Sequence, residues 1–93
     1  MRKIVLHRRA DRYLDRMPRA RQAQVVVALE EVANLEDIQQ HPNITALSGR
    51  LSGWHRLRTG SYRSILQLRL VKEADGTILY VDYIGPRGDA YRS

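Results

Sequence analysis

The chain has no cysteine among its 93 residues, so neither a disulfide framework nor a thiolate metal site is open to it. Long apolar runs are missing too. The longest, Val25 to Leu29, falls far short of the roughly 20 residues needed to span a bilayer. The basic residues at the N-terminus are not followed by the apolar core of a secretory signal. A cytoplasmic protein with no membrane partner is the expectation. Metal-ligand spacing is absent as well: His7 and His41 have no partner at a suitable distance in sequence and are assigned to the surface. No two carboxylates sit at a spacing suited to acid–base work, since Glu30-Glu31 and Glu36-Asp37 read as solvated helix faces. Neither metal nor cofactor is expected.

Lysine is scarce. Fourteen of the sixteen basic residues are arginine, whose planar fork of donors matches phosphate where lysine offers a point charge. A GC-rich genome produces the same bias, so arginine content alone does not decide the matter. The distribution of charge says more. Residues 1–21 carry eight bases and two acids, and residues 22–49 carry four acids and no base. Residues 50–72 carry six bases and no acid, and residues 73–93 carry two bases and four acids. The net is +6 with a pI near 10.3, which favours a polyanionic partner, either nucleic acid or an acidic protein. With 43% apolar residues, the length suits one domain over residues 1–93 with a single core.

Along the chain, Ile4-Val5-Leu6 reads as a short strand. Ala10, Tyr13, Leu14 and Met17 then follow helical spacing, with Arg8, Arg9, Arg12, Asp15 and Arg16 outside the stripe. Pro18 disfavours helix at Met17 and suits the start of a second helix. That helix turns Val25, Leu29 and Val32 inward and stops at Asn34 or, at the latest, before His41-Pro42. Residues 44–49 read as a connector anchored by Leu47. Beyond them the period changes to two. Residues 53–58 form one strand, residues 62–71 a second and residues 78–84 a third, with an Asp75-Gly76 turn between the last two. Gly85-Pro86 ends the third strand and residues 87–93 form a polar tail. The expected fold is α+β: an N-terminal strand and a helical hairpin packed on a small, mostly antiparallel sheet.

The stretch from Gly49 to Arg63 concentrates the chemistry. Side chains on a strand alternate between faces, so Trp54, Arg56 and Arg58 share one face and His55 and Leu57 the other. Thr59-Gly60-Ser61 supplies a tight turn, and Arg63 opens the next strand across from the pair. Three guanidinium groups on one face repel one another unless an anion lies among them. A phosphate chain is the obvious candidate.

Leu47-Ser48-Gly49, the run from Trp54 to Arg63 (Trp-His-Arg-Leu-Arg-Thr-Gly-Ser-Tyr-Arg) and the run from Ile84 to Tyr91 (Ile-Gly-Pro-Arg-Gly-Asp-Ala-Tyr) resemble the RelE/ParE superfamily of toxins from bacterial toxin–antitoxin pairs. The resemblance covers nearly the whole chain and implies a RelE-like fold. RelE-like members cut messenger RNA on the ribosome, whereas ParE-like members inhibit DNA gyrase on the same scaffold. The nucleases carry a basic pair, an arginine on the neighbouring strand, a further arginine and a tyrosine near the C-terminus. Arg56 and Arg58, Arg63, Arg87 and Tyr91 occupy those positions here. ParE-like toxins usually lack the tyrosine and much of the basic cluster, which favours the RelE-like branch.

The resemblance thus implies a metal-independent endoribonuclease using the substrate's own 2′-hydroxyl as nucleophile. Arg63 and Arg87 would stabilise charge on the phosphorane, with Arg56 and Arg58 positioning the backbone and Arg58 sharing in charge neutralisation. Tyr91 is either a base, favoured as tyrosinate by nearby positive charge, or a ring that stacks on a nucleobase. Trp54 either packs on the sheet edge or stacks on a base. Family members often carry lysine where Arg56 and Arg58 stand, and arginine is a poor proton donor. His55 faces away from the arginines. Asp82, an acid in an apolar strand, is expected to pair with an arginine, Arg63 among the choices. The implied partners are a cognate antitoxin and mRNA in the ribosomal A site, or DNA gyrase in the alternative, with operator DNA bound only through the antitoxin. A third reading is a decayed toxin that retains only antitoxin binding.

Overall fold

A computed structural model describes residues 1–71 and 76–86. β1 (Lys3–Leu6) leads into a helical hairpin, α1 (Arg8–Arg16) and α2 (Arg19–Asn34). β2 (Ile44–Ala46), β3 (His55–Thr59), β4 (Tyr62–Val71) and β5 (Gly76–Pro86) follow, with short 3-10 turns over Ile38–Gln40 and Gly49–Leu51. The five strands form one sheet in the order β1-β5-β4-β3-β2. β1 runs parallel to β5, and every other neighbouring pair is antiparallel. The helical hairpin carries the chain from β1 at one edge of the sheet to β2 at the other.

Local chemistry accounts for the element ends. The His7 imidazole accepts a hydrogen bond from the Arg9 backbone N–H and caps α1. Met17, held in extended geometry ahead of Pro18, separates the helices. α2 stops at Asn34, the earlier of the two ends its sequence allows. The Arg2 guanidinium then donates to the carbonyls of Leu35 and Glu36 and to Thr77 Oγ1 (2.9 Å). One basic side chain thereby satisfies carbonyls just past the end of α2 and ties that end to β5.

The helices cover one sheet face. Leu14 from α1, Met17 just after it, and Val25, Leu29 and Val32 from α2 pack with Leu57, Leu66, Leu79, Val81 and Ile84 of the strands. Two expectations are corrected. Residues 44–49 are not merely a connector: β2 lies within them, and Ile44 rather than Leu47 packs on the core, because pairing Ile44 with Leu57 turns it inward. β5 does not end before Gly85 but runs to Pro86, opposite Tyr62. Leu70 shares the inner face with Leu66 and Leu68 but extends past the helices and is exposed. A bulge at Asp82, where Ile65 pairs with Tyr83 and Leu66 with Val81, keeps Val81 and Ile84 both in the core.

Candidate functional site

The face turned away from the helices carries the arginines. Arg58 pairs directly with Arg63 across the β3–β4 hairpin, and Arg56 with Ile65. Gly60 makes that hairpin possible by adopting a φ of +57°, in a turn between paired Thr59 and Tyr62. Arg56, Arg58 and Arg63 line a cleft of about 120 Å³ with Pro42, Asn43 and Thr45. At about 30 Å³ per water in the liquid, that is room for about four waters, a space suited to a phosphate group and too small for a nucleoside. Among the described residues, no carboxylate lines it.

Buried groups sharpen the picture. Arg63 Nε is shut off from solvent and has no hydrogen-bond partner among the described residues. Ile65, 1% exposed and separate from the helix-side core, gives the arginine face an apolar floor. A donor left unpaired beside an apolar floor costs free energy until an acceptor arrives. Asp82 does not supply one. Its carboxylate pairs with Arg9 at 2.5 Å, and Arg9 Nε also donates to its backbone carbonyl (3.0 Å). Asp82 is therefore held by an arginine as expected, but by one from α1, and Arg63 stays in the cleft.

One cleft wall is fastened by His41, a histidine expected at the surface. His41 is buried (7% exposed), with Nε2 3.0 Å from Glu31 Oε1 and Nδ1 accepting from the Asn43 backbone N–H. The Asn43 carbonyl in turn accepts from the Arg58 backbone N–H. This chain fastens the Pro42–Asn43 wall to α2 and to the arginine strand. The ten-residue gap between Glu31 and His41 gave no signal, because it spans a helix end and a 3-10 turn. Tyr83 was also missed. It pairs with Ile65 on the arginine face, and its ring occupies the space a Cβ on Gly85 would fill, beside Arg63 in register. The signal was Gly85 itself, since a strand glycine often marks close approach.

The remaining sequence-predicted residues divide clearly. Trp54 lies half-buried on the same face as the arginines, its ring centroid 6.3 Å from that of Tyr80. Arg87 and Tyr91 lie outside the described residues. His55 pairs with Leu66 and faces the helix side, away from Arg56 and Arg58. Both its ring nitrogens are buried without a partner. Among the described residues, no three His, Cys, Asp or Glu side chains gather to hold a metal ion, and no helix is long and apolar enough to cross a membrane.

The fold and the cleft together invite comparison with solved structures. Over 96% of this chain, it superposes on 98% of a chain of the archaeal RelE–RelB complex from Pyrococcus horikoshii OT3, with a TM-score of 0.69 and 21% identity. The chain has the RelE fold. The RelBE2 toxin–antitoxin complex of Mycobacterium tuberculosis matches with a TM-score of 0.67 and 20% identity, over 92% of this chain and 98% of that one. The RelB–RelE complex of Methanococcus jannaschii gives 0.64 and 13% over 88% of each. No protein-family model and no curated protein matches the sequence. Among the described residues, the helical hairpin packs on the opposite face of the sheet and does not cover the arginines.

His55 yields a test of the fold. Burial pushes its imidazole below the ordinary value of 6.5, against a smaller opposing effect of the Asp37 charge. Protonation is then easier in the unfolded chain, so this contribution to stability is complete above pH 6.5 and fades as pH falls towards the folded value. The thermal midpoint should therefore drop between pH 7.5 and pH 5, and His55→Leu should flatten the profile. An equally steep profile in His55→Leu would assign the effect to other groups.

Proposed function

We propose that this chain is the toxin of a toxin–antitoxin pair and cleaves mRNA on the ribosome without a metal. The observation that carries the reading is the cleft in which Arg56, Arg58 and Arg63 converge, with no carboxylate among the described residues of its walls. The RelE fold supports it, and the three similar chains were each solved in a complex named for RelE and RelB. A cognate antitoxin covering the basic face would silence the cleft, and operator DNA would be bound through that antitoxin.

In the reaction, the ribose 2′-oxygen attacks the scissile phosphorus, loses its proton to a base, and the bond to the 5′-oxygen breaks. The products are a 2′,3′-cyclic phosphate and a 5′-hydroxyl. Arg63, with Arg87, stabilises the phosphorane, and Arg56 and Arg58 hold the flanking backbone. Tyr91 takes the proton, or else stacks on the base. The proton for the departing oxygen comes from a group other than these arginines, because a guanidinium is a poor proton donor.

Primer extension on ribosome-bound message tests the proposal. Discrete cleavages are expected on programmed ribosomes with purified protein, and gyrase supercoiling is expected to proceed unchanged beside them. Inhibited supercoiling with intact message would establish the ParE-like activity instead. Harmless expression without antitoxin, with neither effect in vitro, would indicate a decayed toxin.

A further inference from the structure

The arginine face extends beyond the cleft. Further along β4, Arg69 shares its face with Arg63, and the Arg69 guanidinium carbon lies 3.7 Å from the Tyr80 ring centroid and 5.7 Å from that of Trp54. Its Nε donates to Gln67 Oε1 at 2.7 Å. Tyr80 pairs with Gln67 in register, so Gln67, Arg69 and Tyr80 form one patch across β4 and β5, joined by Trp54, the residue just before β3. Arg69 is exposed and has no acidic partner among the described residues. A charged side chain normally samples several rotamers at a surface. This one is restrained by a ring beside it and a bond at its Nε while the residue stays exposed.

We infer that the Arg69–Tyr80–Trp54 layer is a stacking subsite for an unpaired nucleobase of the RNA whose scissile phosphate sits in the arginine cleft. The inference rests on the nuclease reading above and adds a substrate contact to it. Unstacked bases pack on aromatic rings and on guanidinium planes, and such platforms tolerate any base because each has a π face. Arg69 offers a preformed plane with a positive charge near the phosphates. Six residues separate Arg63 from Arg69, about 20 Å along a strand. An extended RNA strand covers that distance in a few nucleotides, so one strand can reach both places. An acidic protein segment would seek the charge of Arg69 but would have no use for a planar stack.

Trp54 is the sole tryptophan and so reports on the patch directly. The experiment titrates the full chain with a short single-stranded oligoribonucleotide while following tryptophan fluorescence, then repeats it with an oligomer of the same length made wholly of abasic sites. Quenching is expected with the base-bearing oligomer and not with the abasic one. Arg69→Ala should weaken the apparent affinity about tenfold, within the range for loss of one stacked base, whereas Arg63→Ala should still quench. Ribosome-dependent cleavage by Arg69→Ala should show a raised KM at unchanged kcat. Equal affinity in Arg69→Ala, equal quenching by the abasic oligomer or by a poly-glutamate peptide, or no quenching at all, would each overturn the inference. Quenching that depends on Arg69, in a protein that cuts no message, would instead leave the subsite standing and remove the nuclease reading. Cleavage with an unaltered KM in Arg69→Ala would do the reverse.

Discussion

Replacing Arg63 with alanine is expected to lower ribosome-dependent cleavage by about 10²–10³, the usual cost of losing one fixed donor aimed at developing charge. The same change should leave the folded protein no less stable than its parent. Both expectations come from one atom. Arg63 Nε is buried without a partner, and an unsatisfied buried donor costs about 1–3 kcal/mol. Arg63 also faces Arg58 directly across the hairpin, and like charges in that arrangement destabilise a sheet. Alanine removes the unpaired donor and the repulsion together, which offsets the packing lost with the arginine stem. Arg63→Lys keeps the charge but loses the fork, so it should recover little of the activity. Kinetics by primer extension and a urea titration on the same preparations decide the matter. Lost activity accompanied by a fall in stability of several kcal/mol would make Arg63 a structural residue and remove it from the site.

This separation of activity from stability fits a surface built for a ligand that comes and goes. Arg2 and Arg9 show the other way to use a guanidinium. Arg2 spends its donors on carbonyls and a threonine, and Arg9 on the carboxylate and carbonyl of Asp82. Their partners lie within the fold, so they stabilise it. The cleft arginines have a neutral wall of Pro42, Asn43 and Thr45, and buried Ile65 pairs with Arg56 beside them. Low-polarity surroundings strengthen attraction for an anion and also strengthen mutual repulsion in its absence. Stabilities that rise on adding a polyanion are the natural consequence.

Period and turn chemistry carried most of the fold. The stripe of Leu14 and Met17, the break at Pro18 and the alternation from Trp54 to Arg58 each express a local rule, and each appears in the structure. Strand parity was enough to put Arg56 and Arg58 on one face and His55 on the other. What stayed hidden depended on contacts distant in sequence. Asp82 needed an arginine, but its choice of Arg9, 73 residues away, follows from the parallel pairing of β1 with β5 and the placement of α1. The bulge at Asp82 was invisible for the same reason, because register is settled between strands rather than within one. His41 looked like a surface histidine because the chain turns twice between it and Glu31. The cleft was half legible: its arginines announce themselves, and its neutral wall does not.

Truncating Leu57 to alanine should produce the converse of the Arg63 effect. Leu57 is wholly buried, and its neighbours in sequence are the cleft residues Arg56 and Arg58. Removing a buried leucine typically costs about 2–5 kcal/mol, the spread reflecting how far the surroundings collapse into the cavity. A chain of this length has only about 5–15 kcal/mol of stability in all. At about 4–8 °C per kcal/mol, the midpoint should fall by about 8–40 °C. Leu57 points at the helices, so its loss leaves every group in the cleft in place, and its backbone remains paired with Ile44 and Ser64. Cleavage measured well below the new midpoint should therefore stay within a few fold of the parent. Were the cleft held in shape by core packing behind it, activity would collapse even where the variant is fully folded by circular dichroism. The cleft wall is instead fastened by polar contacts, from Glu31 of α2 through His41 and Asn43 to the backbone of Arg58.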